Sequence, residues 1–95
     1  KLVPAEGVYV AQAELAGKRW PAMLSIGTRP TVTFSSKVGI EVHILDFNDD
    51  LYGSPLTVHF LDFLRNNVRF EGMEALKAQL KSDLETTRNF FRSYI

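Results

Sequence analysis

Glu41 and His43 stand two residues apart in the stretch GIEVHILDF, Gly39 to Phe47, whose other residues are mostly those of a strand. With a side-chain period of two, Glu41, His43, Leu45 and Phe47 share one face, and Ile40, Val42, Ile44 and Asp46 share the other. A carboxylate and an imidazole on one side of an apolar strand are the groups of general acid–base chemistry. The same two residues also suit a cross-sheet ion pair and a packed, hydrogen-bonded histidine. His59, in a second strand-like run, has that ordinary explanation too. Two histidines on strands without a matching acid cluster do not predict a metal site.

Three further stretches carry polar chemistry. GTRPT, from Gly27 to Thr31, offers two hydroxyls and an arginine on a rigid turn; by itself it is an ordinary surface loop. DLYG, from Asp50 to Gly53, is a turn with an aromatic staple. LRNNVRF, from Leu64 to Phe70, is the exit from a strand, with Arg65 and Arg69 in solvent. No glycine-rich phosphate loop of the Walker or dinucleotide type is present, and no nucleophile elbow.

The elements that must hold these residues are short strands and one helix. Alternation in GVYVAQAELA and RWPAMLSI, joined by a glycine turn, predicts a β-hairpin over residues 7–26. Pro21 cannot donate to a ladder, which points to an edge position or a bulge. Residues 27–39 are loop-like in composition, and the opening strand follows. After the polar connection NDDLYGSP, residues 56–65 form a long strand with Leu56, Val58, Phe60, Asp62 and Leu64 on one face. The period then changes: Met73, Leu76, Leu80, Leu84 and Phe91 follow helical spacing and read as a packing stripe, with Lys77, Lys81, Asp83, Glu85 and Arg88 mostly on the other faces. Gly72 is a weak N-cap, and Glu71 and Glu74 suit the positive end of the helix dipole. Short strands followed by one amphipathic helix predict an antiparallel barrel or sheet closed on one side by the helix.

Ninety-five residues with an apolar fraction of 45% are enough for one domain with a single core. Eleven basic and eleven acidic residues cancel, which argues against an electrostatic surface for nucleic acid or membrane. The absence of cysteine excludes disulfides and thiolate metal sites. No run is long and apolar enough to span a bilayer, so a cytoplasmic domain is expected. The opening KLVPAEGVYV has no initiator methionine and turns strand-like at once, as the middle of a longer protein does.

Taken in order, PAEGVYV, IGTRPT, IEVHILDF, DLYG, FLRNNVRF and MEALKAQLKSDLETTR resemble the riboflavin kinase domain, which in bacteria is the C-terminal part of a bifunctional riboflavin kinase/FAD synthetase. The resemblance runs from about Val3 to Arg88 and makes residues 1–95 one riboflavin kinase-like domain. It implies a mainly β fold: a six-stranded antiparallel Greek-key barrel with a C-terminal helix beside the flavin site. It also implies a kinase that moves the γ-phosphoryl group of ATP to the ribityl 5′-hydroxyl of riboflavin, giving FMN. By this resemblance Glu41 is the catalytic base, kept partly dry by apolar neighbours so that desolvation raises its pKa. Thr28, Arg29, Thr31, His43, Tyr52 and Gly53 fall where the family lines its nucleotide pocket. Arg65 matches a flap arginine over the flavin, and Phe70 lies on the same side.

Two departures accompany the resemblance. The family often has asparagine where Arg29 stands; an arginine there suits phosphate instead. The family's phosphate loop and P-T-A-N segment, whose Thr and Asn hold Mg²⁺, are not in these residues. The metal ligands are therefore expected upstream of Lys1, the first barrel strand is expected to be missing, and residues 1–95 alone are expected to be inactive. An adenylyltransferase domain is expected to precede this one in the parent protein. The alternative is a non-catalytic β-barrel module that binds a ligand or docks a partner.

Overall fold

The computed structural model describes residues 5–30, 36–47 and 55–94 and, for 28–30 and 36–38, the backbone alone. Strands β1 (Gly7–Leu15), β2 (Lys18–Pro30), β3 (Ser36–Ile44) and β4 (Thr57–Arg65) precede helix α1 (Met73–Arg92). The strands form one antiparallel sheet in the order β3-β2-β1-β4. Three consecutive strands with the fourth returning beside the first make the Greek-key order. The architecture is the predicted one, mainly β and antiparallel with a C-terminal helix. Among the described residues the sheet has four strands and does not close into a barrel.

Register sorts the side chains into two faces. Tyr9, Ala11 and Ala13 of β1 lie opposite Leu24, Ala22 and Trp20 of β2, and with Ile26, Val42 and Ile44 they form the apolar core. Burying residues such as Leu24 and Ile26 contributes about 1.5–3 kcal/mol each. Val8, Val10 and Met23 are buried on the opposite face, across which α1 packs against β2.

Four expectations about the elements change. Residues 27–30 and 36–39 are strand rather than loop: the β2–β3 ladder continues from Gly27↔Gly39 to Pro30↔Ser36. β3 correspondingly ends at Ile44, and a turn at Leu45 and Asp46 follows, with Asp46 at φ 57°. Phe47 thus leaves the face of Glu41 and His43, packs against the Ile44 cluster and meets Trp20 edge to face, while Leu45, in line with Pro21, stays on the helix side. Pro21 lies in an interior strand and causes no bulge. Its carbonyl accepts from the Leu45 N–H, so its nitrogen points the same way, where pairing with β3 begins only at Ala22↔Ile44. The proline therefore removes no bond to β1, and the one it forgoes lies at the end of the β2–β3 ladder.

β4 carries two register shifts, one leaving out Leu64 and one Leu61. Between them the alternation is inverted, so Phe63 joins Phe60 on the core face, and both rings meet Tyr9 edge to face at 5.3 and 5.1 Å. The slips cancel by Arg65, which is paired with Val8 on the helix side. Gly7 sits at φ 149°, where a Cβ would come within 2.6 Å of the Phe63 ring. That close approach requires glycine.

In α1 the N-cap is Gly72, extended and without a side-chain cap, and Glu74 lies in the first turn, as expected. The stripe is not simple packing. Met73 and Leu80 are exposed, while the two buried helix residues are Asp83 and Thr87. Asp83 was expected on a solvated face. Instead it lies three residues past Leu80 and four before Thr87, on the stripe itself.

Candidate active site

A cavity of about 360 Å³ opens between the sheet, the first half of α1 and the segment that follows β4. Val8, Met23 and Ser25 line it from β1 and β2, and Glu41 and His43 line it from β3. Glu41 is paired with Ser25 and His43 with Met23, so both project to the helix side of the sheet. Arg65, Asn67, Val68 and Phe70 border it after β4; Leu76, Leu80 and Asp83 border it from α1. The cavity thus gathers a carboxylate, an imidazole and a guanidinium around largely apolar walls, the form of a small-molecule site.

Of the residues singled out in the sequence, Glu41, His43, Arg65 and Phe70 come together here. Glu41 is exposed at the cavity, not shielded by apolar neighbours. The expected drying relied on Leu45 and Phe47; the turn after Ile44 carries Phe47 to the other face, and Leu45 borders a second groove instead of this cavity. Thr28 and Arg29 lie at the end of β2, paired with Val38 and Lys37; their side chains are outside the described residues. Thr31, Tyr52 and Gly53 are outside them entirely.

Arg65 is held firmly. Its Nε donates to Asp83 Oδ1 at 2.9 Å and Oδ2 at 3.1 Å, its Nη2 to Oδ2 at 2.7 Å, and its Nη1 to the Asn66 carbonyl at 3.0 Å. Gln79 Nε2 donates to Asp83 Oδ1 at 2.9 Å. Not all of the guanidinium N–H groups are used by these bonds, so donors remain for a ligand. Asn67 Nδ2 donates to the Ile26 carbonyl at 2.9 Å, tying the segment to β2. Sequence reasoning missed Asp83, Gln79 and Asn67. Helical spacing from Leu76 and Leu80 was the available signal for the first two; Asn67 had none.

Other polar groups stand apart from the cavity. His59 Nε2 lies 2.8 Å from Glu14 Oε1, and that hydrogen bond, helped by Arg19 and opposed by burial, holds Glu14 below the usual carboxylate range. Arg88 of α1 donates to Asp46 at 2.8 and 3.2 Å across a second groove bordered by Pro21, Leu45 and Phe91. The Arg88 bond lowers the Asp46 pKa, and the Asp46 bond raises that of Arg88.

The family model of riboflavin kinase (flavokinase) matches residues 1–91. The bifunctional riboflavin kinase/FMN adenylyltransferase of Pseudomonas fluorescens is 44% identical over 86 residues, covering 90% of this chain and 28% of that protein. The protein of the same description from Escherichia coli K12 is 42% identical over 89 residues, covering 93% and 28%. A crystal structure titled as a macrolide-efflux protein from Streptococcus pneumoniae superposes with a TM-score of 0.84 at 40% identity, over 93% of this chain and 29% of that one. The chain spans under a third of the length of these relatives. With the match extending through β1 to α1 and all the residues that border the cavity, this chain belongs to the riboflavin kinase family.

Proposed function

We propose that the protein carrying this chain is an ATP:riboflavin 5′-phosphotransferase, and that residues 1–95 form its kinase domain. The observation that carries the reading is the placement of Glu41, in a chain of this family, at a cavity shared with Arg65 and Phe70. Riboflavin occupies that cavity, its ring system against Phe70 and the start of α1 and its ribityl chain toward β3. Glu41 accepts the proton of the 5′-hydroxyl while the hydroxyl oxygen bonds to the γ-phosphorus. The bond from that phosphorus to the β,γ-bridging oxygen breaks, and ADP leaves. A bound flavin displaces water from the exposed Glu41, so that the carboxylate meets the hydroxyl without a competing solvent shell. The nucleotide lies toward His43 and the β2–β3 end, with Thr28, Arg29, Thr31, Tyr52 and Gly53 around it.

The family implies magnesium. No three His, Cys, Asp or Glu side chains among the described residues are grouped to hold a cation, and no step is assigned to one. In the parent protein we place an FMN adenylyltransferase domain beside this one, on the descriptions of its relatives. No helix among the described residues is long and apolar enough to cross a membrane.

The test is FMN formation from riboflavin and magnesium-ATP by the full-length protein and its Glu41→Gln variant. Loss of a general base predicts a kcat lower by about two to four orders of magnitude, with a smaller change in riboflavin affinity. A variant keeping more than roughly half the wild-type kcat removes Glu41 from this role.

A further inference from the structure

We infer that Asp83 is a positioning residue for the flavin pocket: through Arg65 it sets the segment that borders the cavity, and so governs flavin affinity. The inference rests on the phosphotransferase reading of the cavity. Asp83 is only 2% exposed, in a helix whose other packing positions include Leu76, Leu84 and Phe91. A buried carboxylate is a weak way to hold a helix against a sheet, because desolvation offsets most of the attraction of an ion pair. A leucine there packs without that offset. What the carboxylate adds is direction.

Both oxygens of Asp83 are taken up by Arg65 and Gln79, so it is the arginine that is left to meet a ligand. The fork-to-fork geometry fixes the plane of the guanidinium. From that plane Nη1 reaches the Asn66 carbonyl, which sets the backbone as it leaves β4. One residue later Asn67 is bonded to the Ile26 carbonyl of β2. Three successive residues are thus tied to the helix, to the arginine itself and to the sheet, and Val68 and Phe70 follow at the cavity. Removing the charge of Asp83 frees the first tie, on which the orientation of Arg65 depends. The pocket wall then has to be ordered by the flavin, at the expense of its binding.

Full-length protein with Asp83→Asn, assayed with riboflavin and ATP varied separately, tests this. The riboflavin KM rises about tenfold, while kcat and the ATP KM stay within about threefold of wild type. Arg65→Lys, which keeps the charge and loses the fork, has the same signature, and the double variant is little worse than either single one. A purely structural role instead lowers the active fraction and the Tm and leaves both KM values unchanged; that result overturns the inference. Should Asp83→Asn fail to fold, Gln79→Leu removes one donor to the carboxylate. A riboflavin KM raised about two- to threefold supports the inference, and an unchanged one overturns it. A wild-type protein that forms no FMN overturns the phosphotransferase reading and this inference with it. Wild-type turnover with an unaltered riboflavin KM in the variant overturns this inference alone.

Discussion

Thr87 shows what a single buried group can cost. It is 0% exposed, and its hydroxyl has no hydrogen-bond partner among the described residues. A mid-helix threonine commonly bonds back to the carbonyl one turn earlier, and that bond is not made here. Valine has the same shape and a similar helix propensity, so Thr87→Val removes an unsatisfied polar group without opening a cavity. The substitution is expected to raise stability by roughly 1 kcal/mol, read from urea unfolding at unchanged m-value. A loss of that size would mean that the hydroxyl has a partner after all. Residues of this kind mark the limit of legibility. Glu41, His43, Arg65 and Phe70 were singled out because their motifs stand in order, and all four border the cavity. Asp83 was missed because a charged residue is assigned to solvent by default, although its spacing placed it on the packing stripe. The expected shielding of Glu41 failed because Phe47 lies beyond the turn that ends β3 and Leu45 borders the second groove.

At the scale of elements, alternation identified β1, most of β2 and β4, and the helical period located α1. Composition misled at residues 27–30 and 36–39, where Gly, Pro and Ser look like a loop although antiparallel pairing makes them strand. The two slips of β4 left no trace in its sequence, because a bulge is set by what the partner strand presents. The β1–β2 turn shows a correctable weakness. Ala16 and Gly17 have φ of 52° and 80°, the positive pair of a type I′ turn, between the partners Leu15 and Lys18. Alanine in this left-handed region is strained by about 1–2 kcal/mol, whereas asparagine tolerates it and Asn-Gly is the favoured pair. Ala16→Asn should therefore stabilise the hairpin by up to about 1 kcal/mol, seen as a shift in the unfolding midpoint with riboflavin KM unchanged. A destabilised variant would show that the turn is not held as these angles indicate.

The molecule as a whole is more open than its length requires. Its radius of gyration is 14.4 Å, against about 12.4 Å for a compact domain of this size. The core face of the sheet, away from α1, also carries exposed apolar side chains. Ile40 is paired with Ile26 on edge strand β3, and Phe60 and Phe63 stand beside Tyr9 on edge strand β4. They are 57%, 42% and 48% exposed, so the core thins toward both edges of the sheet. Apolar side chains next to backbone that is unpaired among the described residues combine two causes of association, a hydrophobic patch and a strand template. A net charge of zero supplies no long-range repulsion to oppose them. The 95-residue chain by itself is therefore expected to self-associate as its concentration rises. Lysine on an edge strand is the usual device against such pairing, so Ile40→Lys combined with Phe60→Lys should shift the population toward monomer. Sedimentation velocity across a concentration series reads both outcomes. If the unsubstituted chain stays a 10.7 kDa monomer throughout, the exposed face is not an association surface and the openness of the sheet has no consequence in solution.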